Sequence, residues 1–429
     1  MSRNKKVLKF PEGFLWGAAI SAHQTEGDNR NDWTEWEKAN AGRLDEETKT
    51  KWEKWQWEKF PEMFDPENYI SGRACDFYNR YESDLGIAKS LDLNAFRISI
   101  EWSRIEPEEG KFDEREIEHY RKVLKAIHAR GMEPFVTLWH FTSPLWLSKI
   151  GGWENKESIG FYVRYAKKMI GSIGDEVKFW ISFNEPTTYA GHSFMMGSWP
   201  PEGKSLLATN RVIRNICAAH NQLHGKIRDK FGKKINLGIV FNLKHHSPHN
   251  PKYHLDRALA KLDSYFRDDK YLGMCVGHAD FIGLNYYFYD RLKFSLGGKF
   301  FGLAEVRNPN KELTDMGWDI SPEGIYNVIN RLKKYGLPVY ITENGLADAK
   351  DQKRAKFIKD HLRWVHKAIS EGVDVRGYFY WSLLDNFEWD KGFWPRFGLV
   401  EVDYETMERK IRPSALEYKE ICKTNTLTL

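Results

Sequence analysis

Glu185 and Glu343 each stand at the end of a short apolar run, within Ser182-Phe-Asn-Glu-Pro186 and Ile341-Thr-Glu-Asn-Gly345. Two carboxyl groups flanking a glycosidic bond can cleave it: one protonates the leaving oxygen, and the other attacks the sugar carbon or activates water. Direct attack calls for a separation of roughly 5–5.5 Å and leaves the anomeric configuration unchanged. Asn184 and Asn344 adjoin the glutamates and offer neutral amides for sugar hydroxyls. A lone glutamate in such a position is more often an ion-pair partner than a reactive group. Here the other run ends are polar or aromatic too: Gln24, Arg97, His140, Asn285 and Tyr287 in Gly283-Leu-Asn-Tyr-Tyr287, and Trp381 followed by Glu388 and Trp389. Together they describe a pocket rather than scattered salt bridges. Residue chemistry alone leaves open which glutamate is the acid.

Such a pocket needs strands that all end on one side. Eight runs, 15–20, 94–100, 134–139, 178–183, 236–241, 281–286, 338–342 and 376–381, are rich in Val, Ile, Phe and Tyr at consecutive positions. That pattern predicts parallel strands buried on both faces. Amphipathic helices lie between them. Asp113 and Glu116 suggest a capping box ahead of the stripe Ile117, Tyr120, Leu124 and Ile127, which Gly131 ends. Ser321-Pro322 opens a second helix, and Phe357, His361, Leu362, Val365 and Ile369 mark a third that closes at Gly372. The alternation predicts an α/β fold, a single (β/α)8 TIM barrel over 1–429 with extended βα loops at its C-terminal face. A doubly wound sheet competes, but no GxGxxG follows the first run. Residues 29–70, rich in charge and Trp, and 287–317, expected to be irregular, break the alternation where active-site loops belong.

The balance of 65 basic and 60 acidic side chains has no like-charge block, which argues against nucleic-acid binding. The 17 Trp, 20 Tyr and 26 Phe are many for a chain this long, and aromatic faces serve both cores and sugar binding. Cys75, Cys217, Cys275 and Cys422 have no CxxC spacing, so neither a metal knuckle nor a disulfide framework is expected, and the cytoplasm fits. Lys9, Pro11 and Glu12 interrupt what otherwise resembles a signal peptide, and no stretch reaches the roughly 18 apolar residues of a membrane span.

The motifs Phe10-Pro-Glu-Gly-Phe-Leu-Trp-Gly17, Ser21-Ala-His-Gln-Thr-Glu-Gly27, Phe96-Arg-Ile-Ser-Ile-Glu-Trp-Ser-Arg104, Asn184-Glu-Pro186, Ile341-Thr-Glu-Asn-Gly345 and Trp381-Ser-Leu-Leu-Asp-Asn-Phe-Glu-Trp389 run nearly end to end. In that order they resemble glycoside hydrolase family 1, the β-glucosidase/β-galactosidase family, and within it the archaeal and thermophilic β-glycosidases. The resemblance implies a retaining exo-β-glycosidase that releases terminal β-glucosyl residues through a covalent glycosyl-enzyme, with transglycosylation open to it. By the same resemblance Glu185 is the acid/base and Glu343 the nucleophile, with Arg97 keeping Glu343 ionised and Tyr287 donating to it. Glu343's charge would keep Glu185 protonated until the ester forms. Gln24, His140, Asn184, Trp381, Glu388 and Trp389 would wall the glycone, and Trp318 would carry the leaving group. The substrates would be small β-glycosides or β-linked oligosaccharides; no metal or cofactor is implied. Glucose, galactose and fucose are not separated by these motifs.

Two departures stand out: Phe141 follows His140 where many members have Trp, and His23 stands where Tyr is common. Among rivals, a 6-phospho-β-glycosidase is disfavoured because Glu388 would face and repel the phosphate, and a thioglucosidase because Glu185 is present. A glycan-binding barrel without activity would be expected to lose one glutamate. Trp52, Trp55, Trp57 and Phe60 could attach to a membrane surface, but they form no single helical stripe, so a lid over the mouth is expected instead. His245, His246 and His249 have no carboxylate or Cys beside them in sequence and read as a polar loop.

Overall fold

A computed structural model describes residues 6–298 and 303–429. Eight parallel strands close into a barrel: β1 (Leu15–Ala19), β2 (Ala95–Ser99), β3 (Glu133–Thr137), β4 (Phe179–Asn184), β5 (Asn236–Asn242), β6 (Phe281–Asn285), β7 (Val339–Asn344) and β8 (Val375–Trp381). Each overlaps one of the eight apolar runs. The strands are buried nearly throughout, as expected where helices cover the outside and side chains fill the inside.

Alternation along the strands sets the layers of the interior. Phe135, Phe179, Phe281, Tyr340 and Phe379 form an aromatic floor, with the Phe135 and Phe179 rings stacked at 4.4 Å. Gly238 makes room for that floor, since a Cβ there would collide with the Phe281 ring. Two residues further along, on the same strand face, Arg97 follows Ala95 and Asn285 follows Gly283. The floor is therefore apolar and the layer above it polar, which aims chemistry at the C-terminal mouth.

The helix Glu114–Ala129 buries Ile117, Tyr120, Leu124 and Ile127, and Gly131 follows it at φ +68°. Asp113 caps it by accepting from Arg115 N at 2.9 Å, but Glu116 returns no bond, so half of the expected capping box is missing. Pro322–Leu332 and Arg354–Ser370 match the other two helices. Among the described residues, no helix is long and apolar enough to cross a membrane.

The two interrupting segments carry regular structure of their own. In 29–70, Asn31 and Thr34 form a capping box that starts the helix Asp32–Glu46, and shorter turns follow. Trp52 and Phe60 pack on Trp394 with ring centroids 5.0 Å away, so this segment lies over the barrel mouth, although Trp55 remains 37% exposed. The 287–317 stretch is not wholly irregular. Tyr289–Gly298 pairs parallel with His245–Pro248 and antiparallel with Leu303–Glu305, which gives a three-stranded sheet outside the barrel. Residues 299–302 lie outside the described residues.

Candidate active site

Both glutamates sit where the barrel ladder slips. The β4–β5 pairing shifts between Ile181 and Asn184, and β7 shifts against both neighbours before Glu343 and Asn344. A bulge of this kind turns a side chain out of the strand's alternation. Glu185 also adopts φ +46°, ψ +61° at the start of the short helix Pro186–Ala190. A left-handed conformation is unfavourable for glutamate and persists where surrounding contacts impose it, often at functional sites.

The contacts around the two carboxyls differ. Glu343 Oε1 accepts from Arg97 Nη1 at 2.5 Å, and Oε2 accepts from the Tyr287 hydroxyl at 2.9 Å. Glu185 has no cation against it among the described residues; Asn285 Nδ2 donates to its Oε1 at 2.5 Å and Asn242 Nδ2 to its Oε2 at 3.2 Å. Asn285 is oriented by Thr342 Oγ1, which donates to its Oδ1 at 2.7 Å. Asn184 Oδ1 accepts from Arg97 Nη2 at 2.7 Å and from Asn285 Nδ2 at 3.2 Å, so one amide network links both groups.

This network sets where a proton rests. Burial first, and Glu343's charge second, push Glu185 up to about 7. The sequence reading named only the charge, and burial is the larger cause. Burial raises Glu343 as well, but Arg97, Tyr287 and Asn285 all favour its ionised form. The shared proton therefore belongs on Glu185.

The pocket walls are largely as the sequence placed them. His140 is held well below its ordinary value by burial and then by Arg97, so it is neutral. Because Asn184 Oδ1 faces Arg97, its Nδ2 donates to His140 Nε2 at 3.2 Å, which puts the imidazole proton on Nδ1. That Nδ1 is buried with no partner among the described residues. His140 stacks nearly parallel between Trp381 and Trp389, at 6.1 and 6.0 Å, and Trp389 stacks in turn on His23 at 5.5 Å. His23 is buried and lies 2.7 Å from Glu37 Oε1, an ion pair inside the wall. Phe141, at φ +75°, packs on Trp389 and Trp199 and brings no polar atom, as expected of a less polar wall. Half-buried Trp318 lies against Phe288 and Tyr287 at the rim.

Two expected sugar ligands are otherwise engaged. Asn344 donates to Tyr286 O at 2.7 Å and accepts from Tyr378 at 2.9 Å, so its amide braces the barrel wall and is unavailable to hydroxyls. Gln24 accepts from Ser21 and donates to Phe387 O at 2.7 Å and to Glu388 Oε2 at 3.3 Å. It sets the loop that presents Glu388. Glu388 itself is pushed up to about 8, by burial first and then by Glu343, Asp390 and Glu185 against Lys391. Burial thus favours its protonated form and weakens the charge repulsion of a phosphate that the sequence suggests.

The glycosyl hydrolase family 1 model matches residues 6–276 and 264–427. The chain belongs to glycosyl hydrolase family 1. It is a glycoside hydrolase similar along nearly its whole length to Beta-glucosidase A of Thermotoga maritima, at 34% identity over 98% of this chain and 99% of the relative. A solved beta-glycosidase from Pyrococcus horikoshii superposes with TM-score 0.87 at 38% identity, covering 98% of this chain and 96% of that one. A 6-phospho-beta-galactosidase of Staphylococcus epidermidis is 31% identical over 98% of this chain and 99% of its own length.

Asn242 is the contact that sequence reasoning missed. The fifth run stops at 241, one residue short of the strand, and Asn242 is the polar end of β5. The rule that exposed Glu185 and Glu343, a polar residue closing an apolar run, would have found it. The His245-His246-His249 reading also changes. Carboxylates absent from the neighbouring sequence do surround His246 in space, with Asp263 2.8 Å from Nδ1 and Asp268 3.2 Å from Nε2.

Proposed function

We propose that this hydrolase is a retaining exo-β-glucosidase in which Glu343 is the nucleophile and Glu185 the acid/base, the whole chain acting as one catalytic domain. The observation that carries the assignment is the unequal distribution of donors. Arg97 and Tyr287 act on Glu343 alone, while Glu185 is buried between two neutral amides. A carboxylate beside a guanidinium can attack the anomeric carbon, forming an ester as the bond to the leaving oxygen breaks. Glu185 gives its proton to that oxygen. Esterification removes the charge on Glu343, so Glu185 becomes a stronger acid, stays ionised and takes a proton from the water that cleaves the ester. A sugar hydroxyl in place of that water gives transglycosylation.

Asn184, His140 Nδ1, Glu388 and the Trp381–Trp389 column supply the glycone contacts, with Gln24 holding Glu388, and Trp318 is the platform for the leaving group. These contacts also admit galactosyl and fucosyl groups. The substrates are small β-glycosides or β-linked oligosaccharides, in keeping with the similarity to Beta-glucosidase A of T. maritima. Four free, buried cysteines support action in the reducing cytoplasm. The S. epidermidis relative makes a 6-phosphoglycoside the second reading. Against it, Lys391, the cation acting on Glu388, is already bound to Asp390 at 2.6 Å.

A 2-deoxy-2-fluoro-β-glucoside with a dinitrophenol leaving group tests the roles. The expected result is a stable adduct on the peptide holding Glu343, release of β-glucose first from ordinary substrate, and a loss beyond roughly 10⁴-fold, the upper range of general acid catalysis alone, in Glu343→Ala. An adduct elsewhere, initial α-glucose, or persistent Glu343→Ala turnover overturns the assignment. Aryl β-glucosides cleaved no faster than their 6-phosphates would favour the second reading.

A further inference from the structure

A second buried cluster, outside the barrel, brings metal-ligand atoms together. We propose that His246 Nδ1, Asp263 Oδ2 and Asp290 Oδ2 bind a divalent transition cation of the zinc class. The ion would tie the strand His245–Pro248, the helix His254–Ser264 and the strand Tyr289–Gly298 to one another.

One ligand atom from each of these three residues lies within 4.8 Å of the other two. All are buried, and none closes a hydrogen bond among the described residues. The His246 side chain is 1% exposed, and those of Asp263 and Asp290 are each 9% exposed. Although Nδ1 is 2.8 Å from Asp263 Oδ2, the oxygen is off the line along which the ring N–H would donate. The charge contacts among these buried atoms are close but not aligned as hydrogen bonds, so they are satisfied only in part, and an ion among them would complete their coordination. Zinc takes nitrogen and oxygen ligands at about 2.0–2.2 Å in tetrahedral geometry, which sets ligands about 3.3–3.6 Å apart. Binding therefore draws a pair standing at the 4.8 Å limit together by about 1.2–1.5 Å.

The far side of the imidazole supports the same reading. Nε2 is 3.2 Å from Asp268 Oδ2, and Arg331 Nη2 donates to that oxygen at 2.6 Å. A carboxylate behind the ring keeps the proton on Nε2 and leaves the Nδ1 lone pair free for an ion, the arrangement metal-binding histidines commonly use. One imidazole with two carboxylates suits zinc, cobalt or manganese rather than a soft ion. Arg267 donates to Asp263 Oδ1 at 2.7 Å, which leaves Oδ2 for the metal. Lys244 Nζ, 3.1 Å from Asp290 Oδ2 but misaligned for a hydrogen bond, belongs to a side chain 27% exposed. It is the cation that the metal displaces into solvent. The alternative is a protonated His246 wedged between Asp263 and Asp268 with no ion at all.

Untagged full-length protein, stripped with a chelator, loaded with Zn²⁺ and passed through gel filtration, should retain one equivalent of zinc by elemental analysis. Its Tm should rise with zinc. Asp290→Asn and His246→Gln should each lose the retained ion and the zinc-dependent Tm shift, while cleaving an aryl β-glucoside as the parent does. Asp290→Asn preserves side-chain shape and decides the matter should His246→Gln fold poorly. No retained zinc in the parent, or undiminished zinc in the variants, overturns the proposal in favour of the protonated histidine.

Discussion

Glu185 and Glu343 occupy matching places in the barrel yet live in different electrostatic surroundings. Each ends a strand, each follows a register slip, and each is buried. What separates them arrives from elsewhere in the chain: Arg97 from β2 and Tyr287 from just past β6 reach Glu343, whereas Asn242 and Asn285 reach Glu185. Burial acts on both carboxyls in the same direction, so it cannot by itself divide their roles. A single guanidinium can, because it favours one ionised carboxylate and leaves the neighbour to carry the proton. The fold supplies two equivalent tips, and second contacts make them inequivalent.

The largest expected effect of breaking this difference comes from Glu185→Gln, which preserves shape and removes the titratable proton. Turnover of substrates with poor leaving groups should fall about 10²–10⁴-fold, the usual contribution of general acid–base catalysis. The sign of the pH dependence follows from the resting value of about 7. The acid form needed for the first step is lost as pH rises through that value, so the parent's kcat/KM should decline on the alkaline side. In the variant that limb should vanish, and azide should restore the second step by replacing activated water. An unchanged alkaline limb would assign it to another group.

A smaller effect is expected from Arg97→Gln, which makes the two carboxyl environments alike. Loss of a charge-assisted hydrogen bond worth about 1.5–3 kcal/mol corresponds to roughly 10–150-fold in rate. Glu343 would then be raised further, so the acidic limb of the rate profile should move to higher pH. Stability should drop by about 3–5 kcal/mol, because a buried carboxylate loses its partner. That penalty has a sign in pH. A buried carboxyl with a raised pKa keeps its proton in the folded state and releases it on unfolding, so the variant should be closest to the parent at low pH and fall behind as pH rises. Denaturant melts at several pH values would show it. A deficit that shrinks at high pH would mean Glu343 does not depend on Arg97 for its charge.

The scaffold was legible because each barrel strand is apolar on consecutive residues, a pattern that short buried parallel strands produce and few other elements do. The glutamates were legible because they interrupt such runs. Their difference was legible only through the family resemblance, since Arg97 and Tyr287 are adjacent in sequence to neither. The sheet in 287–317 was also missed: in Tyr289-Asp-Arg-Leu-Lys-Phe294 the consecutive Asp290 and Arg291 break the alternation, and the partner, His245–Pro248, is itself polar and precedes it by a whole βα unit. Asn344 shows the reverse error. Its place beside Glu343 suggested a sugar ligand, but strand alternation turns the two side chains apart, and the amide is spent on Tyr286 and Tyr378.

Asn242 gives the smallest and most specific way to sharpen the comparison. Its N–H donates to Glu185 Oε2 at 3.2 Å, while its own Oδ1 has no partner among the described residues, so Asn242→Ala takes a donor from Glu185 Oε2 and breaks no other side-chain hydrogen bond of Asn242. A neutral donor favours the ionised carboxylate, and removing it should raise Glu185 further by less than about one unit. The alkaline limb should then shift upward, extending activity to higher pH. The second step, in which Glu185 must ionise, should slow several-fold, in line with the roughly 0.5–1.5 kcal/mol of an ordinary hydrogen bond. Pre-steady-state bursts with a good leaving group separate the two steps. A rate loss spread equally over both, with no movement of the limb, would make Asn242 a packing residue, whereas opposite movements would place it as the group that poises Glu185 between donor and acceptor.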